Sequence, residues 1–305
     1  MSNARREFLL ELENVKGSVG LEIGPLNKPL VKKEELESNG KIFYLDHLST
    51  EELQEKYKDE ASVKTDEIVS VDFVCRDGDI LKATSGHAFD YVVASHVIEH
   101  APNLLLFLSE IHNILKPGGT CVLIIPDKRF TFDVNRPVST FGSVLENFLS
   151  KTTYPSISAV YDHSAMAINA SGHNLWHGIV NADDTRLLAS ENIAWEAAHR
   201  VHKEGHYYDV HVNVFTPESF FSILKKAIFY EIVFFEVSEF VDTEVGQIEF
   251  MLRLKKPQNE SDELVKSRCL ASIPKFEIES ILSPYMPQVR ALSNALENSS
   301  SIING

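Results

Sequence analysis

Along the first 130 or so positions the apolar residues gather in short continuous runs instead of alternating with polar ones. Residues 19–23 (VGLEI) end in Gly24-Pro25, and residues 41–45 (KIFYL) end in Asp46. Residues 67–74 (EIVSVDFV), 89–94 (FDYVVA) and 120–125 (TCVLII) continue the series, and each run reads as a buried strand. Residues 102–115 repeat Leu104, Leu105, Leu108, Ile111 and Leu115 at three- and four-residue intervals and stop at Pro117-Gly118-Gly119, which predicts a helix. Residues 51–58 are a shorter, charged helical candidate. Strands that are apolar throughout and alternate with helices predict a parallel sheet covered on both faces.

After residue 133 the alternation breaks for about eighty residues rich in His, Asn, Ser and aromatics, including Trp176, Trp195, Tyr207 and Tyr208. An insertion over the sheet is expected there, and with it the substrate pocket, because the cover of an open α/β sheet varies while the scaffold stays rigid. Thr216-Pro217-Glu218 then supplies a capping hydroxyl, a proline at the first helical position and an acid in the first turn. That helix runs to about Lys226 and turns Phe220, Phe221 and Leu224 to the core. Residues 231–240 and 248–254, joined through 242–246, predict a β-hairpin. The expected division is an N-terminal helix (1–17), a core (18–135), the insertion (136–213), the end of the core (214–256) and a helical or flexible tail (257–305) with no chemistry assigned.

Composition narrows the partners. Forty-four acidic against twenty-nine basic side chains give a formal charge of -15, with no Lys/Arg stripe to follow a phosphate backbone, so nucleic acid is not expected. No apolar run approaches the roughly 20 residues that span a bilayer, and neither a signal peptide nor a membrane partner is read. Cys75, Cys121 and Cys269 are odd in number and widely spaced, which favours a reducing, cytoplasmic setting over a cysteine-held metal. The oligomeric state is left open.

Ligands of such sheets bind beyond the carboxyl ends of the strands. Glu22 and Gly24, Asp46, Asp72, and Ser95 with His96 recur there. Gly24 admits close approach of a ligand to the backbone, and Asp46, 22 positions on (46 − 24), is placed to accept both hydroxyls of a ribose. Two carboxylates near the first turn disfavour a diphosphate and suit a ligand carrying an amino group, a sulfonium and a ribose. That is the charge pattern of S-adenosylmethionine.

In order, VGLEIGPLNKP, YLDHLS, VDFV, FDYVVASHVIEHAPN and LKPGGTCVLIIPDKRFTFD resemble the class I S-adenosylmethionine-dependent methyltransferases of the type 11 kind, over roughly residues 18–135. The resemblance implies a Rossmann-like, mostly parallel seven-stranded sheet with an antiparallel last strand, helices on both faces and an inserted substrate-covering region. It also implies that Glu22, Gly24 and Pro25 form the first cofactor loop and that Asp46 binds the ribose. Asp72 with Phe73 would edge the adenine, Ser95 with His96 would line the methionine side, and His47 would stack near the adenosine. Leu26 and Lys28 stand where further loop glycines are usual. Each acid or cap also has a plain structural alternative: Asp72 as a turn residue, Ser95 and His96 as caps, Glu99 as a solvated face.

In-line methyl transfer needs alignment and, for a hydroxyl acceptor, a proton acceptor. His100 in IEHAP, Asp127 in IIPDKRF and His211 in YYDVHVNVF are the candidates. Against them stand an Asp127 ion pair with Lys128 or Arg129 at the surface and a merely packed His100. Seven of the twelve histidines fall between His163 and His211, and His173 and His177 share a helical spacing. They lack the Glu of H-E-x-x-H and any nearby cysteine, so no metal is expected there. The leading reading is methylation of a hydroxyl of a small polar acceptor, such as a sugar. A nicotinamide-dependent oxidoreductase or epimerase would need a Tyr-x-x-x-Lys that the chain lacks; a non-catalytic cofactor-binding member is the third reading.

Overall fold

The computed structural model describes residues 3–12, 14–178, 183, 185–205, 208–258 and 262–276. Strands β1 (Val19–Ile23), β2 (Lys41–Asp46), β3 (Phe73–Val74), β4 (Phe89–Ser95), β5 (Leu115–Pro126), β6 (Glu236–Val241) and β7 (Glu249–Lys255) form a seven-stranded sheet in the order β3-β2-β1-β4-β5-β7-β6. β1 to β5 are mutually parallel, and β7 runs antiparallel to both β5 and β6. The helices are α1 (Asn3–Leu10), α2 (Thr50–Lys56), α3 (Ile80–Ala83), α4 (Leu104–Ile114), α5 (Phe141–Leu149), α6 (Ile157–Met166), α7 (Gly172–His177), α8 (Glu191–Glu204), α9 (Pro217–Phe229) and α10 (Asp262–Ala271). The seven-stranded, mostly parallel sheet with its antiparallel end is the expected architecture.

The central strands are buried on both faces, as their unbroken apolar runs require. Tyr91 and Val93 of β4 pack with Phe8 and Leu9 of α1, Ile42 and Tyr44 of β2, and Val122 of β5. Their neighbours Val92 and Ala94 point to the opposite face and are equally buried. Local chemistry sets the helix ends: the Asn103 side chain accepts the Leu106 N–H at 3.1 Å to start α4. Thr216 and Ser219 bond reciprocally around Pro217 to start α9. At the entry to β5, Leu115 faces Phe89 but Thr120 already faces Tyr91, so residues 116–119 bulge out of the ladder.

The third strand is far shorter than residues 67–74. Only Phe73 and Val74 pair with β2, opposite Leu45 and Asp46. Thr65–Glu67 is a 3-10 turn, the Val69 N–H bonds to Leu26 O at 3.0 Å, and the Val71 N–H bonds to the Thr50 hydroxyl at 2.9 Å. At a sheet edge these donors are drawn to the β1 loop and the start of α2, leaving an apolar run that is not a strand.

Within the insertion, α6 and α8 bury a small core of Val160, Ala197, Val201 and Val210, with Tyr208 and Val212 packed against it. Met1–Ile273 clusters as one unit and Pro274–Gly305 as another, of which residues 274–276 are described. The rest of the expected tail lies outside the described residues.

Gly20 in β1 reports on the tightness of the sheet, because a Cβ there would stand 2.1 Å from Tyr91 Cζ and 2.5 Å from its hydroxyl. Gly20→Ala is expected to lower stability by about 1–3 kcal/mol through overpacking. Urea denaturation checks this, and an unchanged midpoint would refute the close contact.

Candidate functional site

A cavity of about 450 Å³ lies beyond the C-terminal ends of β1 to β4. Ile23, Gly24 and Leu26 reach it from the β1 turn, and Leu45, Asp46 and His47 from the end of β2. Cys75, Arg76, Asp77, Gly78 and Ile80 follow β3, and His96, Val97 and His100 follow β4. Asn103, Leu106 and Phe107 of the α4 start face it as well, with Thr152, Thr153 and Asp209 contributed by the insertion.

The β1 turn keeps its shape with one glycine. Gly24 has φ +65° and donates its N–H to Leu45 O at 2.8 Å. Leu26 is also left-handed, at φ +47°, a conformation that costs a side-chain-bearing residue about 1–2 kcal/mol. Glu22 holds the turn from beneath: its carboxylate accepts the N–H of Leu30 at 2.8 Å and of Val31 at 3.1 Å. Glu22 is buried and holds the loop from beneath without lining the cavity, and Pro25 likewise stays off the wall. Burial pushes the Glu22 carboxyl up to about 7, against the lowering pull of the two N–H groups.

Asp46, also buried, does face the cavity. One of its oxygens accepts the His47 N–H at 2.7 Å and stands 2.6 Å from His47 Nδ1. Asp72 does not reach the wall, because its carboxylate accepts the Tyr44 N–H at 2.9 Å and binds Lys33 Nζ at 3.1 Å through each oxygen. The Phe73 ring packs on Phe43 and His87 at 5.3 and 5.5 Å. The segment Cys75 to Gly78 takes the place expected of this pair. Ser95 closes the β4 ladder opposite Ile124, off the wall. His96, left-handed at φ +55°, faces the cavity with Nε2 2.6 Å from Glu249 on β7, a carboxylate that Arg5 of α1 also binds.

Of the three proton-acceptor candidates, Asp127 is removed. It has no exposed surface, Arg129 engages both its oxygens, and the Thr243 hydroxyl donates to it at 2.8 Å. Asp127 is buried in this pair and Arg129 partly so, where a surface pair was the expected alternative. His100 lies on the wall, with Nδ1 3.1 Å from Asp209 Oδ1, an ion-pair approach whose alignment falls short of a hydrogen bond. Asp209 also accepts from Lys56 Nζ at 2.8 Å. Burial lowers the His100 pKa, but Asp209 and Glu99 outweigh it and the net shift is upward. Asp209 is correspondingly held far below the usual carboxylate range: burial opposes this, and His100 and Lys56 prevail. His211 sits behind His100, rings edge to face at 4.8 Å, its Nδ1 on the Asp133 carboxylate that Arg136 also binds. His173 and His177 stand together on α7, rings 4.5 Å apart, exposed to solvent.

Residues 33–123 match the family model of a methyltransferase domain, type 11. Over that stretch the chain is similar to a methyltransferase domain. The match spans less than half of the chain; the methyltransferase assignment joins it to the seven-stranded sheet order and to the motifs at the strand ends. S-adenosylmethionine is the cofactor of this domain, and the cavity suits it, with a buried acid at the end of β2, a bare glycine at the first turn and apolar Leu45 and Ile80 between them. A search of the curated proteins found no relative of the chain. Similar solved structures include a protein described as a Zn-dependent alcohol dehydrogenase from Rhodobacter sphaeroides, 14% identical, covering 85% of this chain and 91% of its own, TM-score 0.47. A methyltransferase from Aquifex aeolicus is 13% identical over 83% of this chain and 89% of its own, TM-score 0.41. The N-methyltransferase NodS of Bradyrhizobium japonicum, bound to S-adenosylhomocysteine, is 14% identical over 84% and 87%, TM-score 0.37. With TM-scores below 0.5, none of the three bears on the assignment.

The raised Glu22 pKa has a signed consequence. The folded chain holds a proton on Glu22 that the unfolded chain releases near 4.5, so stability is lost as pH rises from about 4.5 to about 7. The contribution is on the order of 3 kcal/mol. Glu22→Gln is expected to flatten that part of the stability profile, followed by urea unfolding between pH 4 and 8; a profile of unchanged slope would refute it.

Proposed function

We propose that the chain transfers a methyl group from S-adenosylmethionine to a hydroxyl of a small polar acceptor, such as a sugar. The observation that carries this reading is one cavity whose wall holds both Asp46, at the end of β2, and the imidazole of His100 beside the Asp209 carboxylate of the insertion. When bound, the cofactor supplies an electrophilic methyl on a sulfonium. Gly24, Leu26, Asp46, His47 and His96 hold it, with Asp77 at the adenine end. The apolar wall and the insertion exclude water around it.

A hydroxyl acceptor must lose its proton as it is methylated, and a positioned imidazole meets that need. His100 takes the proton, Asp209 orients its ring, and His211, itself held by Asp133, packs behind it. Thr152 and Thr153 offer hydrogen-bonding groups to the acceptor. The formal charge of -15 supports a small molecule over a nucleic acid. No helix among the described residues is long and apolar enough to cross a membrane. The three buried free thiols support a reducing compartment, the cytoplasm. Left-handed Leu26 in the loop favours a second reading, cofactor binding without turnover.

Calorimetry with S-adenosylhomocysteine tests the cofactor end. Asp46→Ala is expected to weaken binding about tenfold or more, near 1.4 kcal/mol, and Asp72→Asn to leave it within about twofold. No heat from folded wild-type protein would overturn the reading. At the other end, His100→Gln is expected to lower kcat on a hydroxyl acceptor by about 10²–10⁴ with homocysteine-product affinity unchanged. Turnover that survives the substitution, measured across a panel of sugar and polyol acceptors, would remove His100 as the proton acceptor.

A further inference from the structure

We propose that Glu99, His100 and His211 bind a divalent transition-metal ion of the zinc class at the insertion end of the cavity. Glu99 is only 1% exposed, and neither of its carboxylate oxygens has a hydrogen-bond partner. A buried carboxylate left in that state is strongly unfavourable unless a positive charge meets it. His96 Nδ1 stands 3.6 Å from one oxygen, and that imidazole already faces Glu249 through its other nitrogen. A donor oxygen of Glu99 and a ring nitrogen from each of His100 and His211 lie within 4.8 Å of one another.

The surroundings of the two rings match what a metal requires. Metal-binding histidines turn their second nitrogen to a carboxylate, which sets the tautomer and the ring orientation. Here Nδ1 of His211 is on Asp133 and Nδ1 of His100 is beside Asp209, which leaves Nε2 of each ring for an ion. Two imidazoles and one carboxylate are a zinc-type set that keeps a fourth position open, and the nitrogen donors disfavour calcium and magnesium. Bond lengths near 2.1 Å put tetrahedral donors about 3.4 Å apart, so the three side chains draw together on binding. His173 and His177 lie exposed on α7 and are not part of the site.

Of the three ligands His100 alone lines the cavity, so it is through His100 that the site adjoins the acceptor; this step rests on the methyl-transfer reading above. A bound ion would lower the pKa of an acceptor hydroxyl beside it, and His100 would then serve as a ligand instead of the proton acceptor.

The test uses the full chain after chelator treatment, titrated with Zn²⁺ by calorimetry and with Co²⁺ by visible absorption, with S-adenosylhomocysteine titrated in parallel. One equivalent of metal and a four-coordinate Co²⁺ spectrum are expected. Glu99→Gln and His211→Gln should each weaken the metal more than tenfold while S-adenosylhomocysteine affinity stays the same; two variants guard against one that does not fold, checked by circular dichroism. No metal binding by wild type, binding undiminished in both folded variants, or binding abolished instead by His173→Gln overturns the proposal. If the metal fails while S-adenosylhomocysteine binds, the metal site alone falls; if S-adenosylhomocysteine fails, it is the methyl-transfer reading that falls.

Discussion

Glu22 stands one residue before the end of β1 in a place that water does not reach, and its carboxylate finds partners in the backbone of its own following loop, at Leu30 and Val31. A buried acid of this kind is costly unless its oxygens are occupied, and the demand bends the chain after β1 into a closed turn. That turn carries Gly24 and Leu26 to the cavity, lets the Leu26 carbonyl capture the Val69 N–H, and brings Lys33 over Asp72. The usual division of labour, in which glycines make the turn, is thereby shifted onto a side chain. Leu26 can be left-handed because the loop beyond it is anchored on both sides.

The parts of the fold that were legible in the sequence are those whose cause is local or periodic. β1 and β4 are unbroken apolar runs bounded by turn residues, and α9 announces itself through Thr216, Pro217 and its phenylalanines. Residues 67–74 carry an equally apolar run and are mostly not a strand, since nothing in that segment reveals that it lies at the sheet edge, where Thr50 and Leu26 compete for its donors. The site divides in the same way. Asp46 could be found from its distance to Gly24, whereas the pairing of Asp127 with Arg129 was legible two residues on but its burial beside Thr243, 116 residues away, was not. Asp209 was missed although it sits inside YYDVH, two residues before His211; its partners Lys56 and His100 lie on the far side of the insertion in sequence. The aspartate-rich turn RDGD was the available signal for the wall at Cys75 to Gly78.

The insertion is thus more than a cover. It returns Asp209 and His211 to the segment that follows β4, and Val212 and Asn213 fasten that return by donating their N–H groups to the Glu99 carbonyl at 2.7 and 2.9 Å. Asn213 also donates through its side chain to the carbonyls of Ile98 and Ala101. Backbone and side chain together hold the two histidines in a common frame, one on each chain segment. The polar side chains of this region are therefore arranged by secondary contacts that precede any ligand.

The contact of His96 with Glu249 spans 153 residues, and that of Arg5 with the same carboxylate spans 244. A chain emerging from the ribosome has its family-typical motifs, and most of the parallel sheet, long before β7 exists. Until β7 inserts antiparallel beside β5, His96 has no Glu249 to face and Arg5 of α1 lacks that carboxylate. The wall of the cavity is in this sense finished last, by a strand that contributes no residue to it.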